Sequence, residues 1–166
     1  MEATEKSHPK GQKKDDEEPS YVEAIEELAG VCYETYPDAP WLSLSEFSRR
    51  SEQEEWIIVD VRPQREQNVS TIPGALNDKE FKARIKNRTG ERGKQILVYC
   101  TAGCRSARYA RKLQKQGFKA FNLRGGILAW ALDGRMFVTP GGEFVRRAHV
   151  CTREWNVLPP DYEAVF

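Results

Sequence analysis

Within six positions, Cys100-Thr101-Ala102-Gly103-Cys104-Arg105 combines a nucleophile, a run of compact residues and a guanidinium. A cysteine attacks as its thiolate, and a thiolate must be surrounded by donors to persist. If residues 101–105 curl around the Cys100 sulfur, their backbone N–H groups converge on it, and a helix opening at the end of the loop adds its positive dipole end. Such a ring leaves no room for bulk. Thr101 and Ala102 are small, and Gly103 can take a positive φ. The same donors would hold a bound anion, or a persulfide in its deprotonated form.

Arg105 adjoins the loop and can fork onto a sulfonate or phosphate. Arg105, Arg108 and Arg111 all fall early in the following helix, where cations oppose the macrodipole. Local helix stability therefore does not account for them. An anionic substrate accounts for Arg105, whereas Arg108 and Arg111 read as well as a solvated basic face shared with Lys112 and Lys115.

The remaining thiols leave alternatives open. Cys104 lies four residues from Cys100, and a curled loop would bring the two sulfurs within disulfide reach. Cys104 is then a possible resolving thiol that attacks a persulfide and releases sulfide; otherwise it is an incidental loop residue. Cys151 competes for that role only if the chain's end reaches the loop. Cys32 falls on the apolar face of a helix and reads as a packed core thiol. A zinc site built from Cys100, Cys104, Cys151 and His149 rests on one Cys-x3-Cys pair, a weak signal. No metal and no cofactor are expected. His149 is a candidate base or, more plainly, a structural histidine.

The elements that must position the loop are legible from hydrophobic patterning. Trp56-Ile57-Ile58-Val59 and Ile96-Leu97-Val98-Tyr99 are continuous apolar runs, as expected of strands buried on both faces. The first ends at Asp60-Val61-Arg62-Pro63 and the second at Cys100. Trp41-Leu42 predicts a short strand, Ile72-Pro73-Gly74-Ala75-Leu76-Asn77 a turn feeding another, and Ala120-Phe121-Asn122-Leu123 a fifth. Helices are predicted from Ser20, whose Ser-Tyr-Val-Glu run is a capping box, to about Tyr36; from Ser43; over about 79–87; from about Ser106 to Gln116; and over Ile127–Leu132. Strands alternating with helices imply an α/β fold with a central, mainly parallel sheet of about five strands covered by helices on both faces. In such sheets ligands bind at the carboxyl ends of strands, where Cys100 falls. Phe137-Val138-Thr139 and Phe144-Val145-Arg146 flank a Pro140-Gly141-Gly142 turn and predict an irregular, hairpin-like C-terminal extension over 136–166, anchored by Trp155, Tyr162 and Phe166.

Bulk properties narrow the function classes. The 166 residues are 39% hydrophobic and 31% charged, with a formal net charge of +1. That balance argues against a nucleic-acid partner. No apolar run is long enough to span a membrane, and there is no secretory signal, so a cytoplasmic protein without a disulfide framework is expected. Residues 1–19 are rich in charge, including Lys13-Lys14-Asp15-Asp16-Glu17-Glu18, and are expected to be a disordered tail before a domain over 20–135.

Asp60-Val61-Arg62, Ile72-Pro73-Gly74-Ala75, Val98-Tyr99-Cys100-x-x-Gly103-x-Arg105-Ser106, Gly117-Phe118 and Leu123-x-Gly125-Gly126-x-x-Ala129-Trp130 occur in one order over residues 40–135. Together they resemble the rhodanese-like domain family. Family members often carry Gly-His where this chain has Ser70-Thr71. The resemblance implies a rhodanese-like fold and a single-domain sulfurtransferase. Cys100 would take a sulfane sulfur from a small anionic donor such as thiosulfate, forming a persulfide, and pass it to cyanide or to a cellular thiol acceptor. Arg105, and with it Arg62, would hold the donor, Ser106 would donate to the outer sulfur, and Asp60 would orient Arg62 or form a structural ion pair with it. A non-catalytic rhodanese-like binding module and a Cys100/Cys104 dithiol redox protein are the alternatives. A phosphatase, which uses a similar cradle, places five residues between Cys and Arg, whereas this chain has four. The sequence leaves the oligomeric state open.

Overall fold

The computed structural model describes residues 20–87 and 89–166, and the charged segment expected to be disordered lies outside them. The chain forms α1 (Tyr21–Thr35), β1 (Trp41–Leu42), α2 (Leu44–Ser51), β2 (Trp56–Asp60), α3 (Gln64–Gln67), β3 (Leu76–Asn77), α4 (Asp78–Asn87), β4 (Gln95–Tyr99), α5 (Cys104–Lys115), β5 (Lys119–Leu123) and α6 (Gly126–Leu132). Four short strands follow, β6 (Phe137–Val138), β7 (Phe144–Val145), β8 (Arg147–His149) and β9 (Glu163–Val165), and single 3-10 turns occupy Thr89–Gly93 and Arg153–Trp155.

The α/β class and the parallel five-stranded sheet are as the patterning predicts. The order is β1-β5-β4-β2-β3, and every pairing within it is parallel. The two apolar runs become the central strands, β2 and β4, in register from Trp56 opposite Gln95 to Asp60 opposite Tyr99. Their side chains alternate between two cores, as the strand period requires. Ile57, Val59, Ile96 and Val98 pack with Phe81 of α4 and with Ala110 and Leu113 of α5. Leu97, Tyr99 and Leu123 face the opposite layer, which includes Ile25 of α1, Leu128 of α6 and Phe137, Ala148 and Tyr162 of the C-terminal segment.

Local signals fix the ends of these elements. The Ser20 hydroxyl accepts from the Glu23 N–H at 3.3 Å while the Ser20 N–H donates to the Glu23 carboxylate at 3.1 Å, so the capping box forms as read. The Asn77 side chain caps α4 by accepting from the Glu80 N–H at 2.9 Å. The largest shift is in α5, which opens at Cys104, two residues before the expected start, because Gly103 turns the chain with φ 115°.

At the C-terminus β6 and β7 pair as the anticipated hairpin. The parallel β8–β9 pair was not expected. Tyr162 is 8% exposed and donates its hydroxyl to the Arg135 carbonyl at 2.8 Å. Phe166, expected as an anchor, is 46% exposed beneath the Arg153 guanidinium and anchors nothing. Ser70 and Thr71, the departure from the family pattern, tie this segment down. The Ser70 hydroxyl donates to the Arg147 carbonyl, and Thr71 and Val138 exchange backbone hydrogen bonds of 2.9 Å each.

Candidate active site

Cys100 follows the last residue of β4 and sits at the carboxyl end of the sheet, 1% exposed. Its Sγ accepts from the Gly103 N–H at 3.2 Å and from the Ser106 hydroxyl at 3.3 Å. The first turn of α5 stands directly after the loop, so the positive end of that helix faces the sulfur. Two contacts hold the loop in this shape from outside. The Asn122 side-chain amide donates to the Gly103 carbonyl at 3.0 Å, and the Trp41 ring lies where a Cβ on Gly103 would approach to 3.0 Å.

The other wall is the start of α6. The N–H groups of Ile127 and Leu128 donate to the Cys100 and Thr101 carbonyls at 3.0 and 3.3 Å. A Cβ on Gly126 would come within 2.2 Å of the Cys100 carbonyl oxygen, so only glycine permits this approach. The Leu-x-Gly-Gly motif around Gly125-Gly126 thus serves the loop across the sheet edge.

Arg105 is 36% exposed at its side chain, and its guanidinium is clamped by a residue the sequence reading did not single out. Glu66, 0% exposed, accepts from Arg105 Nη1 at 2.8 Å and from Nη2 at 3.0 Å. Arg105 Nη2 also donates to the Thr101 hydroxyl at 3.0 Å, closing a ring from the loop through Glu66 and back. Glu66 lies on α3, a four-residue helix too short for periodicity to reveal. The available signal was Pro63 at its start, where proline's fixed φ suits a helix opening. Burial works against the Arg105 charge, but the Glu66 hydrogen bond and the nearby Cys100, Glu66 and Cys151 raise its pKa above that of an ordinary arginine.

Asp60 and Arg62 form a buried ion pair, 2.7 Å from Arg62 Nη2 to Asp60 Oδ2, with side chains 0% and 1% exposed for Arg62 and Asp60. The Tyr99 hydroxyl donates to Asp60 at 2.6 Å and accepts from the Ile72 N–H at 3.0 Å. Burial, and then the Asp60 charge, pushes the Tyr99 phenol well above its usual range, so it remains a donor. Arg62 also donates to the Ser70 carbonyl at 2.7 Å. Asp60 and Arg62 are thus ion-paired in the core, while Arg62 Nη1 has no hydrogen-bond partner among the described residues. Of the two arginines assigned to a donor, only Arg105 presents a surface to solvent, and Arg62 is enclosed with its partners.

The second thiol departs from expectation. Cys104 is bonded to Cys32 of α1, with the two Cα atoms 4.7 Å apart. Because α5 opens at Cys104, that residue belongs to the helix's first turn and faces α1, not the Cys100 sulfur. Cys32 is on the buried face of α1 as expected, but as half of a disulfide. In this state Cys104 is neither a resolving thiol for Cys100, nor half of a Cys100/Cys104 dithiol, nor a zinc ligand. The expected lack of a structural disulfide framework is corrected by this bond, which forms because α1 and α5 bring Cys32 and Cys104 together.

Cys100 and Cys151 remain free thiols. The C-terminal segment packs against this region, with β8 in contact with α3, the helix that carries Glu66. His149 is 5% exposed, and its Nδ1 accepts from the Cys151 N–H at 3.1 Å, which requires an unprotonated Nδ1. Burial, with Arg65, Arg62 and Arg105 adding to it against the opposing Glu66 charge, holds the His149 pKa below the usual imidazole value. Among the described residues no helix is long and apolar enough to cross a membrane.

Residues 43–133 match the Rhodanese-like domain family, and the chain belongs to that family. It is 35% identical over 95 residues to a sulfurtransferase of Allochromatium vinosum, covering 57% of this chain and 89% of that protein. It is 29% identical over 98 residues to a tRNA uridine(34) hydroxylase of Cytophaga hutchinsonii, covering 55% of this chain but only 31% of that longer protein. Among solved structures, the thiosulfate sulfurtransferase of Pseudomonas aeruginosa superposes with a TM-score of 0.54 at 22% identity, over 75% of this chain and 25% of that one, a likeness of fold.

Proposed function

We propose that this protein is a rhodanese-type sulfurtransferase that carries a sulfane sulfur on Cys100. The observation that carries the reading is the Cys100 sulfur at the carboxyl end of β4, receiving hydrogen bonds from the Gly103 N–H and the Ser106 hydroxyl at the positive end of α5. Such donors stabilise sulfur as an anion, whether thiolate or terminal persulfide. In the first half-reaction the Cys100 thiolate attacks the outer sulfur of thiosulfate. The S–S bond of the donor breaks, sulfite departs with the bonding electrons, and Cys100 becomes a persulfide. In the second, cyanide or a thiolate attacks the terminal sulfur, taking it as thiocyanate or a new persulfide and returning Cys100 to the thiolate. Two displacements on one covalent intermediate give ping-pong kinetics.

Arg105, held in place by Glu66, binds the sulfonate end of the donor. Glu66 and Thr101 act as positioning residues, while the Asp60–Arg62–Tyr99 network holds the end of β2 against the loop without touching donor. Similarity to the Allochromatium sulfurtransferase, matched over most of its length, supports this reading. The tRNA uridine(34) hydroxylase is matched over a minor part, so its tRNA chemistry is not carried over. The test is a steady-state thiosulfate:cyanide assay. Wild type is expected to give parallel reciprocal plots and Cys100→Ser no turnover with the fold intact; turnover by Cys100→Ser at the wild-type rate contradicts the assignment.

A further inference from the structure

A concave site lies between α4 and the second half of α5. Phe81, Ile85, Leu113 and Phe118 form its floor, and Lys82, Lys86, Arg92 and Lys112 stand around it, enclosing about 510 Å³. That volume is within the range of small-molecule sites, which are mostly apolar with a few charged groups to orient the ligand. The groove is remote from the sulfur chemistry. It is built on the second half of α5, and at 1.5 Å per residue Lys112 is about 12 Å along the helix axis from Cys104.

Its electrostatics are one-sided. The lining contains no carboxylate. Lys82 is paired with Asp78 at 2.6 Å, just outside the groove, and the Tyr109 hydroxyl also donates to Asp78. Lys86, Arg92 and Lys112 have no carboxylate within ion-pair distance among the described residues, and the Arg92 guanidinium instead lies 4.5 Å from the centre of the Phe118 ring. Between Asp78 and Lys119 the sequence carries thirteen Lys and Arg against three Asp and Glu, so the net charge of +1 conceals a strongly basic segment. Uncompensated cations beside an apolar floor raise the local concentration of anions and, once water is displaced, give each ion pair more weight.

We infer that this groove binds a small organic anion with an apolar body: an aromatic or acyl group seated against Phe81, Ile85 and Phe118, and a carboxylate, sulfonate or phosphate held by Lys86, Lys112 and Arg92. The size of the groove, about 510 Å³, fits one small molecule rather than a length of nucleic acid.

The probes are 8-anilinonaphthalene-1-sulfonate and its uncharged counterpart N-phenyl-1-naphthylamine, titrated into the full chain by calorimetry. One sulfonate probe is expected to bind per chain, with the uncharged compound at least about tenfold weaker, a difference of about 1.4 kcal/mol. The double variant Lys86→Glu/Lys112→Glu changes two exposed side chains and is expected to lose at least about tenfold in affinity for the sulfonate while its sulfur-transfer kcat/KM is unchanged. Phe118→Ala is expected to weaken both probes. Absence of sulfonate binding, equal affinity for both probes, or wild-type affinity in the double variant would each overturn the inference, the last because it would put the probe elsewhere, as on Arg105.

Discussion

Arg105 is where a single side chain has most to say about the donor. Its guanidinium is fixed by Glu66 and Thr101, yet its edge reaches solvent beside a thiol that does not. Replacing it by alanine is therefore expected to raise KM for thiosulfate about tenfold or more, with a smaller effect on kcat, since the lost contact acts mainly on donor binding. Steady-state kinetics with varied thiosulfate would read this directly, and an unchanged KM would mean that Arg105 does not hold the donor. Cys100, Gly103, Arg105 and Ser106 were all legible as a constellation because they are close in sequence. Glu66 was not, because its partner lies 39 residues away and nothing local marks a carboxylate as buried. Asp60 and Arg62 were legible as a pair, but their enclosure by Tyr99, Ile72 and Ser70 is a tertiary fact.

The unit that presents the thiol is β4, its loop and α5, and the disulfide pins the start of that helix to α1. The bond spans 72 residues. Closing a loop of that length removes enough freedom from the unfolded chain to stabilise the fold by about 4 kcal/mol in the chain-entropy account. The double variant Cys32→Ser/Cys104→Ser should accordingly unfold at clearly lower urea concentration than the oxidised protein, while Cys100 still accepts sulfur; an unchanged midpoint would argue that the bond contributes nothing. The two cysteines could not be paired from sequence, because that required the register of α5 and its contact with α1. The long strands and capped helices were readable from period and caps, whereas two- and three-residue strands such as β8 and β9 carry no period at all. His149, at the end of β8, gives this segment a pH signature. Its pKa is held below the unfolded value of about 6.5, so the unfolded chain takes up the proton first. Its share of stability is present above about pH 6.5 and is lost as the pH falls below that value. Thermal melts should show His149→Gln losing less stability than wild type between neutral pH and about pH 5; an equal loss would mean that His149 does not titrate on unfolding.

Across the whole molecule, one helix separates the sulfur loop from the basic groove. The first turn of α5 serves the sulfur loop, and its second half forms the wall of the basic groove. The whole-chain charge hid this division, because acidic residues elsewhere cancel the basic segment between Asp78 and Lys119. The thiol at the other end of the helix is tested by intact-protein mass spectrometry after thiosulfate treatment. If Cys100 carries the sulfur, the wild type gains one sulfur atom that cyanide removes, Cys100→Ser gains none, and the Cys32–Cys104 disulfide is retained throughout. A wild-type chain that gains no sulfur, or a Cys100→Ser chain that gains it equally, would mean that Cys100 is not the sulfur carrier.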